Sequence, residues 1–271
     1  MNQSERRMLD ALKRGRDQYG VVAVKAEFEA EGTRPDEFLR LLELARRAGV
    51  DVALKIGGCE AVSDLLASRV YGVDYIIAPM VETPYALSKF IEAKTKTHGV
   101  DDESTTFLFN LETETTLRNL EQMLPVAKAG GTGIVFGRVD FTLSRGMART
   151  AVNERSITDA VLTVARACRE HDLELVVGGS VSNDAVGALR EIQQVRLDRF
   201  ETRKVIFEGA AAARANIEAG IANAVEFELE WLRNKRDYYQ QIASEDQARI
   251  EMMEKRVRVD PPALKAMAKV A

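Results

Sequence analysis

The chain has 271 residues, 46% of them hydrophobic and 30% charged, with a formal net charge of −4 at pH 7. That length and apolar content suit a single α/β domain over 1–271, and interspersed charges without a basic block argue against a nucleic-acid partner. No apolar run reaches the roughly 20 residues that span a bilayer, and the stretch from Met1 to Arg7 leads into a charged helical pattern, not a signal peptide; no membrane partner and a cytoplasmic location are expected.

The segment before Tyr19 reads as helix. Val21–Val24 then opens a series of short apolar runs that continues with Val52–Leu54, Tyr75–Ile77, Phe107–Phe109, Ile134–Phe136, Leu175–Val177 and Val205–Phe207. Continuously apolar runs of this length are strands covered on both faces. Amphipathic segments lie between them. Thr33 to Asp36 reads as a cap with proline in the first turn, followed by Phe38, Leu41, Leu42 and Ala45 at helical spacing and closed by Gly49. Leu117, Leu120, Met123 and Leu124 repeat the spacing, as do Ile157, Val161, Val164 and Cys168. Such alternation implies a parallel sheet. Seven strands are clear; a (β/α)8 TIM barrel needs an eighth, for which Gly178–Val181 is the candidate, unless the barrel is modified. From Ala210 to about Val257 the chain reads as one helical segment, with Ile217, Ile221, Val225, Leu229 and Leu232 on one stripe and Phe227, Trp231 and Tyr238 elsewhere. It is too apolar to stay fully solvated, so the extension over 210–271, ended by Pro261-Pro262, is expected in part at the interface of a homo-oligomer.

Charged residues gather at the strand ends. Lys25, Glu27 and Glu29 alternate along the first strand and share a face; three charges there belong at a barrel mouth or pair with one another. Lys55 ends the second strand beside Gly57-Gly58. Glu112 and Asp140 end the fourth and fifth. Two carboxylates on neighbouring strand ends suit Mg²⁺ or Mn²⁺, or else simply cap helix N-termini. Arg138, two residues before Asp140, is placed to bind an anionic substrate group or to pair with Glu112 or Glu82. Cys59 and Cys168 have no CxxC spacing and read as reduced thiols. His98 and His171 read as surface residues.

Four segments taken in order, Val52-Ala-Leu-Lys55-Ile, Ile76-Ile-Ala-Pro79-Met-Val-Glu-Thr83, Leu111-Glu112-Thr113 with Asn119-Leu120, and Gly137-Arg-Val-Asp140-Phe-Thr-Leu-Ser-Arg-Gly146, resemble the HpcH/HpaI aldolase and citrate lyase family. The resemblance implies a metal-dependent (β/α)8 enzyme that makes or breaks carbon–carbon bonds next to a 2-oxo acid or acyl-CoA. It implies Glu112 and Asp140 as metal ligands. Two departures stand out. Lys55 replaces an anion-binding arginine, keeping the charge without its two-pronged geometry. The stretch Ala26 to Gly32 holds Glu27 and Glu29 but no histidine base. The expected activity is therefore cleavage or formation of a carbon–carbon bond on a 2-oxo acid such as pyruvate or oxaloacetate through a metal-stabilised enolate. Lys55 would stabilise the enolate, Glu27 or Glu29 would move the proton, and Arg138 and Lys25 would bind substrate. The other classes are an acyl-CoA lyase of the citrate lyase type and a non-catalytic barrel that lost its base.

Overall fold

A computed structural model describes residues 1–99 and 104–259; the Pro261-Pro262 break lies outside them. Eight strands form a closed barrel in sequence order: β1 (Val21–Glu27), β2 (Asp51–Lys55), β3 (Tyr75–Ala78), β4 (Thr106–Leu111), β5 (Thr132–Gly137), β6 (Leu175–Gly178), β7 (Arg199–Glu201) and β8 (Val205–Glu208). The eighth strand of the barrel is thus not Gly178–Val181. It is β7, a three-residue segment too short to show an apolar period. Pairs from β1 to β7 are parallel, whereas β8 is antiparallel to both β7 and β1. Only residues 202–204 join β7 to β8, and a parallel crossover needs a dozen residues or more. A hairpin is the one connection so short a link can make.

Inside the barrel the middle layer is apolar: Ala23, Ala53, Ile77, Leu108, Val135, Val176 and Ile206, one residue from each strand but β7. A far larger core fills the space between the sheet and the outer helices. Among these helices, which include α3 (Val62–Tyr71), α4 (Pro84–His98) and α9 (Val186–Gln193), α1 (Gln3–Arg14) begins with an Asn2–Glu5 capping box, α2 (Pro35–Ala48) starts on its proline and ends at Gly49, and α8 (Arg155–His171) buries Ile157, Val161, Val164 and Cys168. These placements follow the sequence pattern. The segment after Glu112 does not stay whole. It breaks at Asn119 into α5 (Glu114–Arg118) and α6 (Leu120–Ala129), where the Asn119 amide donates to the carbonyl of Glu82 at 2.8 Å. His98 is half-buried and not at the surface: its ring meets Phe107 edge-on at 5.0 Å, and Nε2 lies 3.1 Å from Ser68 Oγ. Both cysteines are free, as expected.

Because β8 runs against its neighbours, the chain leaves it at the base of the barrel. The long helix α10 (Ile217–Val259) then climbs the outside towards the mouth, packed against α1. The face it buries carries Ile217, Ile221, Ala224, Phe227 and Trp231, while Val225, Leu229 and Leu232 are about half exposed. Phe227 and Trp231, which the sequence put on minor faces, are the ones that pack. Among the described residues no helix is long and apolar enough to cross a membrane.

Glu37, in the first turn of α2, fastens α10 near the mouth. It accepts from Tyr239 Oη at 2.7 Å and from Lys235 Nζ at 2.9 Å. Burial works to raise its pKa, but these hydrogen bonds outweigh it and hold the carboxyl below the usual glutamate range. A depressed folded-state value means stabilisation that is present above the unfolded value, about 4.3, and lost as pH falls through the folded one. Acid titration followed by the fluorescence of Trp231, the chain's only tryptophan, is therefore expected to show a transition below the ordinary glutamate pKa. Glu37→Gln should loosen this contact at neutral pH and remove that step.

Candidate active site

Above the apolar layer the barrel interior turns charged. Lys25 of β1 places Nζ 2.5 Å from Glu201 Oε1 and 3.2 Å from Glu27 Oε1. Lys55, at the end of β2, places Nζ 3.1 Å from Glu29 Oε2 and 3.6 Å from Glu112 Oε2. Two lysines thus interleave with four carboxylates at the C-terminal ends of the parallel strands, the face on which barrel enzymes carry their chemistry.

The backbone is shaped to admit these acids. At Gly137 of β5, an added Cβ would lie 2.9 Å from the Cβ of Glu112; at Gly178 of β6, it would lie 2.8 Å from Glu201 Oε1. Real side chains do not approach so closely, so glycine at these two inward positions makes room for buried carboxylates. Glu112 is 2% exposed. Its Oε1 accepts from the Met80 backbone N–H at 3.0 Å and its Oε2 from Asn110 Nδ2 at 2.6 Å. Met80, in the turn after Pro79, has φ of 51°, a left-handed conformation that costs a non-glycine residue energy and is retained where surroundings enforce it. Here it accompanies an N–H pointed at Glu112.

Desolvation dominates the titration of Glu112: burial raises its pKa, and Lys55, Met80 and Asn110 offset only part of that, while Asp140 nearby adds to it. For Lys55 the balance is opposite. Burial acts to lower its pKa, but Glu112 and Glu29 together raise it. Lys25 behaves likewise: burial is outweighed by Glu201 and Glu27, and its pKa is raised. Both lysines are ammonium ions at neutral pH. A Schiff-base lysine needs the reverse, a depressed pKa that frees the amine.

Asp140 lies in the first turn of α7 (Arg138–Ser144), exposed at the mouth, and its charge is felt by Glu112. The structure therefore brings together Lys25, Glu27, Glu29, Lys55, Glu112 and Asp140. Arg138 stands apart. It is 2% exposed, and its guanidinium donates to the carbonyls of Gly178 at 3.3 Å and Gly179 at 2.7 Å and to Asn153 Oδ1 at 3.1 Å. Those bonds tie the loop after β6 to residues 149–153; the expected pairing with Glu112 or Glu82 is not made. Burial lowers its pKa to about 10. Lys25 is likewise held by acids on both sides.

Sequence reasoning missed Glu201, Asn110 and Met80. Glu201 follows Arg199-Phe200 in a strand too short to recognise; the only signal was an inward Lys25 that needed a buried acid to meet it. Glu201 Oε2 and Asn110 Oδ1 are buried without a hydrogen-bond partner, an arrangement suited to a polar guest.

The donor set at the mouth is sparse for a divalent cation. Among the described residues no group of three or more His, Cys, Asp or Glu side chains forms a cage. Glu112 and Asp140 alone supply two hard oxygen donors, which fits an ion of the Mg²⁺ class that keeps most of its shell as water or substrate. Lys55, 3.6 Å from Glu112 Oε2, would temper the affinity of such a site by neutralising part of the Glu112 charge.

The HpcH/HpaI aldolase/citrate lyase family model matches residues 37–206. The chain belongs to that family. The match takes in Lys55, Glu112, Asp140 and Glu201 but begins after β1, so Lys25, Glu27 and Glu29 lie outside it. Among solved structures, the chain is similar to an HpcH/HpaI aldolase from Desulfitobacterium hafniense, with 13% identity and a TM-score of 0.57 over 72% of this chain and 82% of that one. It is also similar to an HpcH/HpaI aldolase/citrate lyase family protein from Burkholderia cenocepacia, with 11% identity and a TM-score of 0.58 over 87% and 90%. At such identities these likenesses establish the barrel alone. No curated protein sequence matches the chain. Family membership supports an enzyme of the aldolase and lyase class acting on a small molecule.

Proposed function

We propose that this protein is a divalent-metal-dependent carbon–carbon lyase that acts on a 2-oxo acid such as pyruvate or oxaloacetate through an enolate. The observation that carries the reading is the Lys55 ammonium, held between Glu29 and Glu112 at the barrel mouth with Asp140 beside it. Glu112 and Asp140 would hold the cation, Mg²⁺ or Mn²⁺, which when bound supplies Lewis-acid stabilisation of the enolate. Lys55 Nζ donates to the negative charge developing on the substrate keto oxygen, a fixed charge in a partly desolvated site. Glu29, half-buried and adjacent to Lys55, moves the proton through its carboxylate in place of the absent histidine. Glu27 is engaged by Lys25, so the Lys25–Glu201–Glu27 group holds the upper barrel layer in position.

The test requires no knowledge of the aldehyde partner. An enzyme that forms the pyruvate enolate exchanges the methyl protons of pyruvate with deuterium in D₂O, which proton NMR follows directly. Exchange that depends on Mg²⁺ or Mn²⁺, stops on chelation and is inhibited by oxalate is the expected result. No exchange with either metal, together with no metal-dependent oxalate binding by calorimetry, would overturn this reading in favour of an acyl-CoA lyase or a non-catalytic barrel.

A further inference from the structure

Apart from Tyr239, whose hydroxyl donates to Glu37 and whose ring lies under the Arg34 guanidinium, the outer stripe of α10 is exposed. Residues 240–257 are exposed on every side, a projection of about 27 Å at 1.5 Å per residue. In the lower half Val225, Leu229 and Leu232 are 50%, 46% and 55% exposed, turned away from the buried face; in the upper half Ile250, Met253 and Val257 are 51%, 54% and 64% exposed. These residues belong to one unbroken alternation of four- and three-residue steps: Val225, Leu229, Leu232, Arg236, Tyr239, Ala243, Asp246, Ile250, Met253, Val257. That is the heptad seam of a coiled coil. A long helix with such a seam gains little stability from propensity alone and is stabilised chiefly by packing.

The seam reads the same backwards about Gln241. Reversed on itself, it sets Val225 against Val257, Leu229 against Met253 and Leu232 against Ile250. The bulky Tyr239 meets the small Ala243. The two charged members, Arg236 and Asp246, meet each other. Every such layer joins an a position to a d position, which is the layer geometry of two antiparallel helices. A parallel pair in register would instead stack Arg236 on Arg236 and Asp246 on Asp246, a like-charge arrangement that costs energy. In the single chain both residues make only exposed local pairs, Arg236 with Asp237 at 2.7 Å and Asp246 with Arg249 at 3.1 Å, which are weak and easily exchanged.

We propose that two copies of this chain associate through residues 225–257 of α10 as an antiparallel two-stranded coiled coil centred on Gln241, with Arg236 of each copy paired to the partner's Asp246. The seam is about 48 Å long and lies outside the barrel mouth, so association through it does not depend on the enolate chemistry.

The experiment is a charge-reversal cycle on the full chain, read by light scattering during size-exclusion chromatography and by sedimentation equilibrium. Wild type is expected to be dimeric or a multiple of dimers. R236D and D246R each place like charges at two symmetry-related layers and should weaken the dimer by about tenfold or more, equivalent to ~1.4 kcal/mol. The double variant R236D/D246R should return to within about threefold of wild type. Both positions changed are exposed surface sites, so folding and pyruvate exchange should be unaltered in each variant. A monomeric wild type overturns the proposal. So does an assembly insensitive to the single reversals, the result for parallel helices, another surface or a different protein partner, and so do single variants that the double fails to rescue.

Discussion

Glu112→Gln is expected to abolish metal-dependent pyruvate exchange, lowering its rate by about 10³-fold, because it removes one of two anionic oxygen donors and the charge balance around Lys55. Manganese affinity measured by calorimetry should fall in parallel. The fold should survive. Glutamine preserves the volume that Gly137 leaves open, and its amide oxygen still accepts from Met80. Burial already disfavours the Glu112 charge, and Lys55 retains Glu29 as partner. The thermal midpoint is therefore expected to move by no more than the equivalent of about 1 kcal/mol. An inactive but well-folded variant that still binds manganese as wild type does would remove Glu112 from the metal site. Exchange at the wild-type rate would show that enolate formation does not need the Glu112 carboxylate and would overturn its role as metal ligand.

Lys25→Met should give the opposite result, a large loss of stability. Lys25 is 7% exposed and Glu201 is 4% exposed; removing the ammonium leaves Glu201 charged, buried and unpaired. Breaking a buried pair from one side costs about 3–5 kcal/mol, which in a chain of this size lowers the melting temperature by about 10 °C. Glu27 loses a partner too, but it is the less buried of the two carboxylates, with its side chain 14% exposed against 5% for Glu201, and water compensates it in part. The double variant Lys25→Met/Glu201→Gln removes the stranded charge and should recover most of the loss, measured by thermal unfolding of the four members of the cycle. If the single variant unfolds at the wild-type temperature, the Lys25–Glu201 pair is not a support of the upper barrel. If the double is no better than the single, the cost lies in packing and not in charge.

The amino-acid sequence by itself determined the alternation of strands and helices, the barrel and the residues at the strand ends. Apolar runs bounded by caps and glycines report local periodicity, and periodicity is a property of neighbours along the chain. Lys55, Glu112 and Asp140 were legible for the same reason, each being a charge at the limit of an apolar run. Four matters were decided only in three dimensions. Three residues of β7 are too few to show a period, so Glu201 stayed hidden until Lys25 was seen to reach it across the barrel. The length of the link at 202–204 turned β8 antiparallel and sent α10 up the outside. Which stripe of α10 packs depended on where α1 and the sheet stood, and the face carrying Phe227 and Trp231 was chosen over the one carrying Leu229 and Leu232. Arg138 sits beside Asp140 in the sequence, yet two carbonyls from the loop after β6 and Asn153 hold its guanidinium. A side chain's partners are set by the elements that pack around it, and those come from distant parts of the chain.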